Sequence, residues 1–291
     1  VVVQGQTIAE QLGYAPDSKL LILHADDLGV SHSVNKASFE ALSSGAINSA
    51  SIMVPCPWLL EVAVAAKANP AFDLGLHLTL TAEWENFKWD GVTTSPASSL
   101  LNEHGYFYDN TGDVNTHADP EEVRNELQGQ VDMAKSVGIN PTHLDSHMGA
   151  LFTPKLFRVY VEVGQKNKIP VFVPSQAQML FSEEFPKPDD VVLINYLGSM
   201  NTEVDKSDWV KHYSDLLRQA TPGINEIIIH LGYNDEELQA ITINHPDFGA
   251  EWRELDFETV TNSEFKGLMD ELDITLVTYR EIQSLLYEKD N

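Results

Sequence analysis

The sequence holds a single cysteine, Cys56, in 291 residues, which excludes an intrachain disulfide and a cysteine-rich metal centre. Basic residues are scarce too: 18 Lys and Arg stand against 44 Asp and Glu, a formal charge of −26. A surface of that sign repels nucleic acid and anionic lipid, so a neutral partner suits it best; solubility alone accounts for most of the carboxylates. Hydrophobic residues make up an ordinary 43%, yet no apolar run approaches the roughly 20 residues of a membrane-spanning helix. Internal repeats, low-complexity tracts and linkers are missing, so 1–291 reads as one domain of a length that (β/α) barrels reach. The chain starts Val1-Val2-Val3-Gln4 without an initiator Met. Removal of a leader or simple trimming would account for that, and the expectation taken is export, periplasmic or secreted, rather than a cytoplasmic location. Nothing in the sequence sets the oligomeric state.

What is present is an alternation of β-rich apolar runs with amphipathic stretches, the pattern of a parallel sheet with crossover helices. Strands are predicted at 19–25, 48–54, 73–80, 142–147, 170–174, 191–196, 225–231 and 273–278, and helices at 33–44, 57–68, 119–137, 154–168, 206–220, 250–271 and 279–288. Gly45 and Gly138 stand where helix C-terminal caps belong, and Asp119-Pro120-Glu121-Glu122 reads as an N-cap with a first-turn proline and acids. The fold class expected is α/β, a TIM-like (β/α) barrel open to distortion. A long aperiodic loop, 82–118, follows the third strand and carries Trp84, Phe87, Trp89, Tyr106, Phe107 and Tyr108. Flat aromatic faces suit sugar C–H surfaces, although such residues also pack as a lid over strand ends.

The ionisable residues gather where the predicted strands end, which is where barrel enzymes keep their catalytic groups. The first strand ends His24-Ala25-Asp26-Asp27-Leu28-Gly29, and two adjacent carboxylates are costly unless a cation or another partner offsets their repulsion; a helix N-cap is the plainer alternative. In Gly75-Leu76-His77-Leu78-Thr79-Leu80, strict alternation sends the leucines one way and His77 and Thr79 the other, into the barrel, where His77 is either a ligand or a satisfied core histidine. In Pro141-Thr142-His143-Leu144-Asp145-Ser146-His147, period two puts His143, Asp145 and His147 on one face. His147 lies nearest the mouth, and His143 and Asp145 lie deeper, able to orient ligands from behind. One carboxylate and two imidazoles from three strands make a mixed oxygen and nitrogen site with room for water, suited to zinc or another divalent metal and to catalysis. The run Ile227-Ile228-Ile229-His230-Leu231-Gly232-Tyr233 adds one more strand-end histidine, for which a structural role is the alternative.

These stretches, together with Asn48-Ser49-Ala50-Ser51-Ile52-Met53-Val54, resemble the YdjC-like (ChbG-type) carbohydrate deacetylases, relatives of the polysaccharide deacetylase superfamily with a distorted (β/α) barrel. The likeness spans about 19–235. It implies that Asp27, His77 and His147 hold one divalent metal ion (Zn, Mg or another), that Asp26 is the catalytic base and that His230 acts on the leaving group. The family often places further histidines after the aspartate-serine-histidine, where this chain has Met148-Gly149-Ala150-Leu151-Phe152. The departure falls on the substrate subsite, for which Trp84, Trp89, Met148 and Tyr233 are the candidates.

The reaction expected is hydrolysis of an N-acetyl group on an amino-sugar oligo- or polysaccharide, by water activated at the metal with Asp26 as base. Removal of O-acetyl groups, or cleavage of another amide or ester, would use the same ligands. A sugar-binding protein with a structural metal is the nonenzymatic alternative, disfavoured because structural sites close their coordination sphere.

Overall fold

A computed structural model describes residues 6–93, 95 and 98–288. Among the described residues nine strands follow one another as β1 (Lys19–Leu28), β2 (Ser49–Ile52), β3 (Leu74–Leu78), β4 (Leu144–Ser146), β5 (Val173–Pro174), β6 (Leu193–Ile194), β7 (Tyr196–Ser199), β8 (Gly223–Ile229) and β9 (Ile274–Leu276). Every ladder is parallel; the main sheet runs β4-β3-β2-β1-β8-β7 with β9 also on β1, while β5 and β6 form a separate pair. Short contacts carry the wall onward. Leu144 bridges to Val171, the Tyr160 hydroxyl donates to both Leu144 O and Phe172 O, and Asn195 N donates to Ile224 O. The result is an α/β barrel that is irregular on the β5–β6 side.

β1 is the axis of the sheet. β8 lies along one edge of it, and the other edge is shared: β9 pairs with Lys19–Leu21 and β2 from His24 onward. Asn48 fills the junction, accepting from Leu23 N and donating to Val277 O, which satisfies backbone groups that neither neighbour reaches. Along β1 the even positions Leu20 and Ile22 face the barrel interior with Phe172, Ile194 and Ile224, whereas Leu21 and Leu23 join the outer core beneath the helices. That alternation is the period of two expected of a strand with both faces buried.

All eight predicted strands are found, the sixth (191–196) as β6; β7 shares only Tyr196 with it and is a further strand that was not predicted. The predicted helix 250–271 is two helices, Ala250–Thr261 and Ser263–Glu271, because Asn262 leaves helical geometry and caps the second one. The segment 82–118 is corrected in part: Thr111–His117 is a helix capped by Asn110, and residues 94, 96 and 97 lie outside the described residues. Asp119 caps Pro120–Ser136 as expected, and Gly45 and Gly138 take positive φ values of 66° and 91° after their helices.

Close packing inside the barrel requires Gly75. A Cβ there would lie 2.4 Å from the His143 ring, and that ring is stacked on Tyr279 at 3.9 Å, so it has nowhere to retreat. Gly75→Ala is expected to destabilise the fold by about 1–3 kcal/mol through overpacking. A denaturant midpoint equal to that of the parent would refute this account.

Candidate active site

Two neighbouring residues of a regular strand face opposite ways, yet Asp26 and Asp27 share one site. The reason is a bulge: β1 loses register with β2 between Ala25 and Leu28, and Asp27 takes a positive φ of 73°, a conformation Asp tolerates better than most residues. Gly29 follows with a φ of 92°, and a Cβ there would be 3.1 Å from Met53 O. Backbone distortion at the strand end therefore turns both carboxylates inward.

Asp27 Oδ1 stands 3.4 Å from His77 Nε2 on β3 and 3.4 Å from His147 Nδ1 just after β4. This oxygen is buried and has no hydrogen-bond partner, while Oδ2 receives Arg253 Nη2 at 2.7 Å. Burial pushes the Asp27 carboxyl up, but Arg253 and then His147 outweigh it and hold it well below the usual range. An anionic oxygen without a donor, where two imidazole nitrogens converge, fits a divalent cation bound by Asp27, His77 and His147; these three can offer atoms within 4.8 Å of one another.

The imidazoles are aimed from behind. His77 Nδ1 is 2.7 Å from Asp145 Oδ1, and His147 Nε2 is 3.0 Å from Glu83 Oε2. Burial opposes a charge on His147, but Glu83 and Asp27 overcome it and lift the ring to about 10. Asp145 also reaches His24 Nε2 through Oδ2 at 3.1 Å, and the same nitrogen lies 3.1 Å from Asp26 Oδ1. Despite complete burial, those contacts to Asp145 and Asp26 keep His24 well above its ordinary value. His143 is driven the other way, by burial first and then by His24. Asp26 and His77 are thus linked through His24 and Asp145, with Glu226 and Tyr279 hydrogen-bonded to each other below.

Asp26 Oδ2, the oxygen not facing His24, is 3.8 Å from His77 Nε2 and 3.8 Å from His230 Nε2. His230 follows β8 and is fixed by its backbone N–H, which donates to Asp256 Oδ2 at 2.8 Å; Trp209 Nε1 and the Tyr213 hydroxyl hold the other Asp256 oxygen. Burial takes His230 down to about 4 against the pull of Asp27 and Asp26, so the free ring is neutral at pH 7.

Asp26, Asp27, His77, His147 and His230 line a cavity of about 620 Å³ together with Glu83, Trp84, Met148 and Arg253. Of the remaining candidates, His143 and Asp145 lie beneath it. Trp89 is buried behind Trp84, with its indole N–H on Thr81 O, and Tyr233 lies off the cavity with its hydroxyl on Glu40. Sequence reasoning assigned no role to His24, Glu83, Arg253 or Asp256. Glu226 carried a readable signal, as a carboxylate amid the isoleucines of β8; Glu83 and Arg253 come from an aperiodic segment and a distant helix and carried none.

Parallel strands whose C-terminal ends collect buried carboxylates and imidazoles around a cavity define an α/β protein built for chemistry at the barrel mouth. The chain belongs to the YdjC-like protein family, whose model matches residues 20–271. It is 29% identical over 227 residues to a carbohydrate deacetylase of Thermoanaerobacter pseudethanolicus, covering 78% of this chain and 86% of that one. To a carbohydrate deacetylase of Thermus thermophilus it is 33% identical over 194 residues, 62% of this chain and 68% of that one. The crystal structure of an Enterococcus faecalis protein, described in terms of cellobiose-phosphate cleavage, superposes with a TM-score of 0.74 at 23% identity over 91% of this chain and 99% of that one, a likeness of fold.

Proposed function

We propose that the protein is a metal-dependent carbohydrate deacetylase that removes N-acetyl groups from an amino-sugar oligo- or polysaccharide. The observation that carries this reading is the unpartnered Asp27 Oδ1 between His77 and His147, facing the Asp26–His230 pair across one cavity. Family membership and relatives named as carbohydrate deacetylases support the substrate class.

Asp27, His77 and His147 would hold the cation. When bound, a divalent ion in such a site polarises a carbonyl oxygen and makes water a stronger acid. Asp26 is the base: its Oδ1 is held by His24, leaving Oδ2 to accept the proton of the attacking water. Water oxygen bonds to the acetyl carbon, the C–N bond breaks, and the proton taken from water leaves with the amine. His230 Nε2, neutral at rest, takes that proton over from Asp26 Oδ2, 3.8 Å away, and delivers it to the departing nitrogen. Acetate and a free amino sugar result.

Acetate release from N-acetylglucosamine oligomers, abolished by a chelator and restored by zinc or another divalent metal, is the direct test; no release with any divalent metal overturns the reading. An amide needs acid assistance and an activated aryl acetate does not. His230→Ala is therefore expected to slow the acetamido substrate by roughly 10²–10⁴-fold, to slow an aryl ester far less, and to leave metal content unchanged. Equal losses on both substrates would assign His230 to positioning instead. Glu83→Gln removes the charge that orients His147, and metal affinity is expected to fall by roughly 10–100-fold. A titration that matches the parent would place His147 outside the ligand set.

A further inference from the structure

The cavity has two unlike walls. Asp26, Asp27, His77 and His147 line it from the ends of β1, β3 and β4; Phe152, Phe172, Pro174, Leu197 and Ile228 line it from the segment after β4 and from around β5, β7 and β8, with His230 directly above Ile228. These are not a surface patch. Phe172 is part of the hydrophobic cluster that fills the lower barrel, and Phe152, Leu197 and Ile228 pack against that cluster from above. The cavity floor on this side is therefore the top of the barrel-interior core, a dry surface that a polar sugar ring with several hydroxyls would lose hydrogen bonds by entering.

The chemistry fixes which part of a substrate meets that floor. The carbonyl carbon has to lie within reach of Asp26, and the amide nitrogen has to face His230. The sugar is the bulky substituent on nitrogen and must remain towards the open mouth, where Met148 is 48% exposed and Thr202 and Asp247 line the rim. The other substituent of the carbonyl, its acyl carbon chain, then extends inward. Ile228 lies two residues before His230 on the same inward face of β8, one step deeper, and Leu197 comes from the neighbouring strand β7.

We propose that this apolar half of the cavity is an acyl pocket, and that the protein hydrolyses amide-linked acyl groups longer than acetyl, such as propionyl and butyryl, from an amino sugar. The proposal rests on the deacetylase reading and deepens it. The bonds are the same: water oxygen joins the acyl carbon, the C–N bond breaks, and a short-chain carboxylate and the protonated amine are released. A methyl group alone would leave most of the apolar wall uncovered, whereas each added methylene buried there should strengthen binding roughly threefold to fourfold.

The experiment uses the metal-loaded full chain with N-acetyl, N-propionyl and N-butyryl derivatives of glucosamine and of its β-1,4-linked dimer, with the released carboxylate measured. The expected result is a kcat/KM for butyryl at least equal to that for acetyl, with the gain in KM. In Ile228→Phe and Leu197→Phe, which fill the floor, the ratio of butyryl to acetyl kcat/KM should fall at least tenfold. A tenfold or greater loss from acetyl to butyryl in the parent protein, or a ratio unmoved in both folded variants, overturns the acyl pocket while leaving deacetylation standing. Failure to release carboxylate from any member of the series, acetyl included, overturns the deacetylase reading itself.

Discussion

Asp26→Asn is expected to lower turnover on an N-acetylated amino sugar by roughly 10²–10⁴-fold while the bound metal stays. The substitution preserves shape, and an amide can still meet His24 and Ser51, which contact Asp26 Oδ1 at 3.1 and 3.4 Å. What it removes is the ability of the free oxygen, Oδ2, to take a proton at neutral pH. That oxygen faces His77 and His230 at 3.8 Å each, and the neighbouring carboxylate, Asp27, is engaged by Arg253. Acetate release at saturating metal, paired with elemental analysis, makes the measurement. Near-normal turnover would move the base elsewhere, with Asp145 and His143 next in the sequence motif although both lie deeper.

Asp27→Asn is expected to do two things that Asp26→Asn does not. It should lose the metal, because the anionic Asp27 Oδ1 between His77 and His147 is gone. It should also destabilise the metal-free protein by about 3–5 kcal/mol, the usual result of leaving one member of a buried ion pair alone. The stranded partner is Arg253, 1% exposed, whose Nη2 bonds to Asp27 Oδ2 at 2.7 Å and whose Nη1 already lacks a partner. The sign with pH follows from the depressed Asp27 carboxyl: its stabilisation is complete above the ordinary carboxylate range and is lost as pH falls through the lowered value. Metal-free parent and variant should therefore differ most at neutral pH and converge in acid. A full metal complement in the variant, or equal stability of the two at neutral pH, would rule out this role for the pair.

The strands were legible because most are apolar runs bounded by turn residues, the short β9 included, while the fourth shows instead the alternation of a strand. His77, His143, Asp145 and His147 were legible for the same reason: period two places them on the inward face once their strands are recognised. The division of 250–271 at Asn262 was missed although Thr261-Asn262-Ser263 interrupts the pattern and Asn is a favoured N-cap. Trp89 shows the complementary limit, for an aromatic in an aperiodic segment carries no sign of which way it faces.

The sequence by itself determined the parallel α/β alternation, the strand ends where polar chemistry collects, and the histidines that face inward, because these depend on local periodicity. Tertiary structure alone decided that Asp26 and Asp27 point into one site, since a bulge against β2 and a left-handed residue break the period that would separate them. It also decided that Glu83 meets His147 and Arg253 meets Asp27. Those pairs join residues 64 and 226 positions apart, and what brings them together is the closing of the barrel, a long-range event that no window of sequence contains.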